Sequence, residues 1–274
     1  MKTLLILSLA FYLVSLVQTI LTLLQRQRLP FHLTMGATLC GFTIHTLAIV
    51  LRGLEVARWP LVIPQEVFSF LSWAIAGYYI ISSFWNRNRI LVGYIIPVAV
   101  LFMLVALWLP SPASTPINFR AFGHTILFPI HTSLVLFAYA AFFVTFLAGV
   151  MYILQERELK LKRFGSMFFR LPALDTCDDI SYKSTSIGFV LLTFGMVTGI
   201  MWSGRHDGLY WHGDPIEIVS LLTWLIYLFM IHYRVTAGWR GRRAAIVAII
   251  GFVFVLFSLV GLKYLGGFHV FEMS

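Results

Sequence analysis

Charge is scarce in this chain. Asp, Glu, Lys and Arg make up 11% of its 274 residues, against about 25% in a soluble domain. The hydrophobic share is 59%, more apolar surface than a soluble domain of this length can hide, and an integral membrane protein is implied. Cysteine is nearly absent. Cys40 and Cys177 form neither a CxxC nor the basis of a disulfide framework. Also missing are HExxH, a Gly-rich phosphate loop and a serine nucleophile motif, so no residue is assigned a catalytic role. Acidic residues number 11 against 20 Lys and Arg, a net charge of +9. In a membrane protein such an excess is tested first against topology, before nucleic acid is invoked. No internal repeat or low-complexity tract stands out.

What the chain has instead is long apolar runs. A helix needs about 20 apolar residues to cross a bilayer. Eight runs qualify, roughly 3–24, 33–51, 66–84, 90–109, 131–153, 185–203, 216–234 and 244–264. The expected fold class is an all-α integral membrane protein, a single polytopic domain over 1–274, because each helix satisfies its own backbone in lipid. The first run follows Lys2 as a signal peptide would, but it is too long and no small-residue cleavage site follows. The loops after spans one, three, five and seven hold fourteen of the twenty Lys and Arg, among them Arg157, Lys160, Arg240, Arg242 and Arg243. The positive-inside rule places those loops in the cytoplasm and both termini outside. That explains the charge with membrane lipid and no nucleic acid. Residues 154–184 are then a cytoplasmic connector. Its start, QERELKLKRF, reads as a continuation of the fifth helix, with Glu156–Lys160 and Glu158–Lys162 spaced four apart.

Eight histidines remain to be explained. An ionisable group within the bilayer is a functional candidate. His45 lies midway along the second span, and His232 lies just before the cytoplasmic Arg234 in the seventh. They form an inner pair if their helices adjoin; a histidine bonded to a neighbouring helix is the plainer reading. His131, at the entry of the fifth span, and His269, after the eighth, fall on the outer side. Two neutral imidazoles can supply both axial ligands of one iron. A flat porphyrin also needs aromatic walls, which Trp202, Tyr210 and Trp211 offer, although aromatics populate every membrane interface. His32, His124, His206 and His212 read mainly as solvated or interfacial, with His206 and His212 as reserve ligands.

Residues 204–215 form an outer loop that runs into GLYWHGDPIEIVSLLTWLIY, Gly208 to Tyr227. Its end has a local explanation. Asp214 suits an N-cap, Pro215 suits N1, and Glu217 at N3 completes a capping box.

The same stretch resembles the tryptophan-rich signature of the CcsA/ResC/CcmC/CcmF heme-handling family of cytochrome c assembly. Gly208, Trp211, Asp214, Pro215, Glu217, Ser220 and Leu221 match it. So do Thr223–Tyr227 and the His232-Tyr233-Arg234 triplet. GWRGRRAA (Gly238–Ala245), LQERELKLK and LPALD are similar to neighbouring family segments. The likeness runs from about residue 40 and points to the short eight-span CcsA- or HemX-like branch. It departs at Gly213 and Val219, where tryptophan is usual, at Ile216, where lysine is usual, and at Asp207. The outer loop is thus a degenerate form of the signature.

The resemblance implies a multi-pass protein of a bacterial cytoplasmic membrane that carries heme b, as substrate or transported ligand, to the outer face for cytochrome c maturation. His131 and His269 would ligate heme iron outside, His45 and His232 at an inner site, with Trp211 against the ring. It further implies apocytochrome c and a CcsB/ResB-like membrane protein as partners, the chain being a subunit of a heme lyase or synthase. The alternatives are a HemX-like non-enzymatic regulator of tetrapyrrole metabolism and a transporter using His45 and His232 as a proton relay.

Overall fold

The computed structural model describes residues 2–25, 31–85, 94–110, 126–162, 165, 168, 171–206 and 208–261. These residues contain eight helices and no strand: α1 Lys2–Gln25, α2 Phe31–Val56, α3 Pro64–Trp85, α4 Ile96–Trp108, α5 Leu127–Lys160, α6 Leu174–His206, α7 Pro215–Thr236 and α8 Arg242–Leu256. Phe257–Gly261 prolongs α8 in a wider π-helical turn.

Every expected span falls on one helix, and the protein is an all-α, multi-pass membrane protein. Seven helices are long and apolar enough to cross a bilayer. The exception is α4, whose 13 residues rise only about 20 Å. The apolar run from 90 merges it with residues 90–93, which lie outside the described part, and Pro97 stands in its first turn. At 34 and 33 residues, α5 and α6 outrun the bilayer instead. Both reach into the 154–184 segment. The helix stops at Lys160, and Lys162 has a φ of 51°, so Glu158 and Lys162 are not a helical pair.

The described helices belong to two compact units, one comprising Met1–Ser111 with Arg157–Pro172, the other Pro112–Glu156 with Ala173–Ser274. In the first, α1 packs on α2, α2 on α3, α3 on α4 and α4 on α1, a closed ring of four. Lipid gives no hydrophobic drive for helices to associate, so close approach and interhelical hydrogen bonds do that work. Ser8 Oγ donates to the Gly41 carbonyl at 2.8 Å, and the Ser15 and Thr38 hydroxyls meet at 2.8 Å. Trp73 stacks on Phe42 with centroids 5.1 Å apart and donates its indole N–H to Thr46 Oγ1 at 2.8 Å. Ser72 Oγ donates to the Ala99 carbonyl at 2.7 Å, which joins α3 to α4. The turn between α2 and α3 is organised by Glu66. Its buried carboxylate accepts from Arg52 Nε at 3.1 Å, from Arg58 at 2.7 and 3.0 Å, and from the Val62 and Ile63 N–H groups.

In the second unit α5 is the common neighbour. Its Phe142 ring lies 3.6 Å from Tyr227 of α7, nearly parallel, and rests on the backbone of Gly188 of α6. Its Gly149 receives Ala245 and Ala248 of α8, and its Tyr139 hydroxyl meets Ser258 Oγ at 2.8 Å. At one end Asp178 draws three elements together. One of its oxygens accepts from Arg234 of α7 at 2.6 Å and the other from the Gly241 N–H at the start of α8, at 2.9 Å.

A Cβ at position 188 would stand 2.6 Å from the Phe142 ring. Gly188→Ala is therefore expected to destabilise the protein by about 1–3 kcal/mol, whereas Gly36→Ala, where nothing lies within 4 Å, gains up to about 1 kcal/mol through backbone entropy. Chemical denaturation in detergent checks both signs.

Candidate functional site

The stretch preceding α7 is built from its helix end outward. Asp214 caps α7 with its side chain on the Glu217 N–H, and Glu217 returns to the Asp214 N–H, the capping box the sequence predicts. Glu217 does more than close the box. The same carboxylate accepts from the His212 N–H at 2.8 Å, and its other oxygen lies 3.3 Å from His212 Nδ1. Ser203 of α6 donates to the Leu209 carbonyl at 2.7 Å and stands 3.4 Å from His212 Nδ1. Tyr210 packs against Gly204, where a side chain would collide with its ring. The loop is thus fastened at both ends, to α6 and to α7.

Gly213 carries one of the departures from the tryptophan-rich pattern, and the structure gives it a reason. Its φ is 69°, a conformation that costs a bulky L-residue dearly and glycine nothing. Val219, at another departure, is 9% exposed within α7. The aromatic surface that remains is Tyr210, 66% exposed, and Trp211, 47% exposed, both held on a backbone with few freedoms left.

His131 lies one turn inside α5, half-buried, against α6. Its ring rests on Gly199, where a Cβ would fall 2.6 Å from Nδ1, and Nδ1 is 2.7 Å from the Gly195 carbonyl. A carbonyl only accepts, so Nδ1 carries the proton and Nε2 of the neutral ring carries the lone pair. That is the arrangement by which a backbone carbonyl orients a metal-binding imidazole. Trp202 packs on Phe128 one turn away and stacks with His206 at 5.4 Å. Ser203, the residue that holds the loop, is its chain neighbour, so the His131 seat and the Trp211 loop share the same end of α6.

The other candidates are placed differently. His45 belongs to the first unit and is fully buried, with Nδ1 3.4 Å from the Tyr12 hydroxyl and Nε2 2.9 Å from Ser69 Oγ. His232, in the second unit, is exposed on α7, edge-on to Tyr233, two residues before the Arg234–Asp178 pair. His269 and His124 lie outside the described residues. Among the described residues no group of three or more His, Cys, Asp or Glu is placed to hold a bare metal ion. Sequence reasoning missed Gly195, Gly199 and Ser203. The first two were visible as a small-xxx-small pair, but nothing in the sequence says that a histidine faces them.

If Glu217 holds the loop as described, Glu217→Ala speeds amide hydrogen exchange at His212 and Asp214 by about tenfold, the worth of a charge-assisted hydrogen bond. Exchange monitored by mass spectrometry reads it.

Residues 61–269 match the profile of the family described as Cytochrome C assembly protein. The chain is 28% identical over 259 residues to the cytochrome c biogenesis protein CcsA of Guillardia theta, covering 87% of this chain and 85% of that one. It is 29% identical over 264 residues to CcsA of Microcystis aeruginosa, covering 80% of each. Among solved structures it resembles a chain titled Cytochrome c Heme Lyase CcmF, with a TM-score of 0.62 and 18% identity. That likeness covers 96% of this chain and 50% of the other. It is one of fold, and this chain spans about half the length of that structure. Residue pattern, eight-helix architecture and profile agree: the chain belongs to the cytochrome c assembly protein family.

Proposed function

We propose that this protein carries heme b, as substrate, to the outer face of a bacterial cytoplasmic membrane and presents it to apocytochrome c, a reading supported by relatives named for cytochrome c biogenesis. The observation that carries this reading is the seat of His131. The imidazole is backed by Gly199, oriented by the Gly195 carbonyl, and shares an end of α6 with the fastened Trp211 loop. His131 Nε2 supplies one axial ligand and His269 the other, while Trp211 covers a face of the porphyrin. The basic loops favour this end facing outward. A CcsB/ResB-like membrane protein is the partner that brings the apocytochrome.

His232 is the inner residue of the route, exposed on α7. His45, within the first unit, would serve as a ligand only if Ser69 releases Nε2. A second reading, a HemX-like regulator of tetrapyrrole synthesis, is favoured by one feature: the left-handed Gly213 and the buried Val219 stand where the family carries tryptophan.

The purified protein is expected to show a heme Soret band. His131→Ala and His269→Ala should abolish it together with c-type cytochrome assembly. Gly199→Ala, which moves the seat without removing the ligand, should weaken heme retention about 10- to 100-fold. Heme bound equally by wild type and both histidine variants rejects the outer site. Heme bound by the purified protein, with cytochrome c assembly intact in a strain that lacks the gene, favours the regulator.

A further inference from the structure

The turn between α7 and α8 lies at the opposite end of α7 from the Trp211 loop, and the proposed function makes no use of it. Its backbone is fixed. The Ala237 and Trp239 N–H groups both donate to the Tyr233 carbonyl at 3.1 Å, and Gly238 and Gly241 take left-handed φ values of 62° and 70°. The Gly241 N–H goes to Asp178, and a Cβ at 241 would stand 2.7 Å from the Tyr152 hydroxyl. The Trp239 ring is seated too, 4.7 Å from the Tyr233 ring and edge-on to Phe229 at 5.7 Å.

Three exposed arginines leave this turn: Arg240 between the two glycines, and Arg242 and Arg243 in the first turn of α8. Nearby carboxylates are committed elsewhere. Asp178 holds Arg234 and the Gly241 N–H, Asp179 holds Lys183, and Glu156 lies 3.8 Å from Arg242. Among the described residues Arg240 and Arg243 have no carboxylate within ion-pair distance. Arg243 stands 5.6 Å over the Trp239 ring, an attraction that steers the guanidinium but supplies no counter-charge. The positive-inside rule accounts for basic residues in number. It does not account for two of them held without a carboxylate on a rigid turn.

An apolar stripe starts at the same place. Ile218, Leu222, Leu225 and Phe229 are all exposed, and their spacings of four, three and four put them on one face of α7. Phe229 ends that stripe against Trp239. A ligand that suits both features has an anionic head and a long apolar tail. We propose that the α7–α8 turn binds the headgroup of an anionic phospholipid, its phosphate between Arg240 and Arg243 and an acyl chain along the Ile218–Phe229 stripe. A guanidinium fork can bond two phosphate oxygens at once, and the stripe favours a phospholipid over a free phosphate. The site needs no heme and is independent of the proposed function.

Native mass spectrometry of the full chain in detergent, titrated with phosphatidylglycerol or phosphatidylcholine, reads the affinity for each lipid. The wild type is expected to bind phosphatidylglycerol more tightly. Arg240→Gln and Arg243→Gln should each weaken that binding about fivefold, the worth of one arginine beside an anionic lipid, and together about 25-fold. Phosphatidylcholine binding should not change. Arg205→Gln, which removes an exposed arginine at the far end of α6, should leave both affinities as they were. A phosphatidylglycerol with a photoreactive acyl chain should cross-link between Ile218 and Phe229. The proposal is overturned by equal affinity of the wild type for the two lipids, or by a double variant that binds phosphatidylglycerol as the wild type does. An equal loss in Arg205→Gln overturns it as well, because net charge alone would then be responsible. So does displacement of phosphatidylglycerol by an equal concentration of inorganic phosphate, which would make the headgroup chemistry sufficient without the lipid.

Discussion

Three glycines of α6 let α5 come close, and the packing of the second unit depends on that approach. Gly188 receives Phe142, Gly195 receives Val135, and Gly199 receives His131. In lipid, tight backbone packing is one of the few sources of helix association, and here the same packing seats His131. A side chain at 199 would push the imidazole away; a wider spacing at 195 would separate Nδ1 from its carbonyl. Helix packing and the seat of His131 thus rest on the same face. The aromatic stack of Phe142 and Tyr227 carries the contact on to α7, whose first turn ends the loop that bears Trp211.

Carboxylates do the complementary work at the ends of helices. The chain has only 11 acidic residues, and three of them each organise a turn by holding one or two backbone N–H groups together with a basic side chain. Glu66 collects Val62, Ile63 and two arginines. Asp178 collects Gly241 and Arg234, and Glu217 collects His212 and Asp214. A turn at a membrane face has backbone groups that neither helix can satisfy. One carboxylate satisfies several at once and brings a distant helix with it. Arg234 shows the gain: it also lies 4.8 Å over the Tyr182 ring, so the end of α7 is fixed to α6 by both charge and stacking.

Much of this was legible in the sequence, for reasons of range. Spans are long runs, and each apolar run fell on a helix; only α4 proved short, because hydropathy does not sense where a helix starts. The Asp214–Glu217 box is local, and its four residues state it in full. His131 at an entry and Trp211 in a loop were readable as residue types at an interface. What faces them was not. Gly195 is 64 residues from His131, Tyr12 is 33 and Ser69 24 from His45, and no periodicity encodes which helix turns toward which. Gly213 is an intermediate case. The sequence shows a tryptophan missing from a pattern, while the backbone shows a left-handed turn that favours glycine.

That turn changes what the loss of aromatic surface means. A platform of many mobile aromatic side chains must be ordered when a flat ligand docks, and the ordering entropy subtracts from affinity. In this protein the loop is already held by Ser203, Glu217 and the Tyr210–Gly204 contact. A single Trp211 on that backbone, with only two side-chain torsions, costs little to immobilise. Fewer tryptophans on a fastened backbone can therefore approach the grip of more on a loose one, provided that the two axial nitrogens supply most of the binding energy. On the proposed function, heme retention would then depend more steeply on the seat of His131 than on the number of aromatic residues around it.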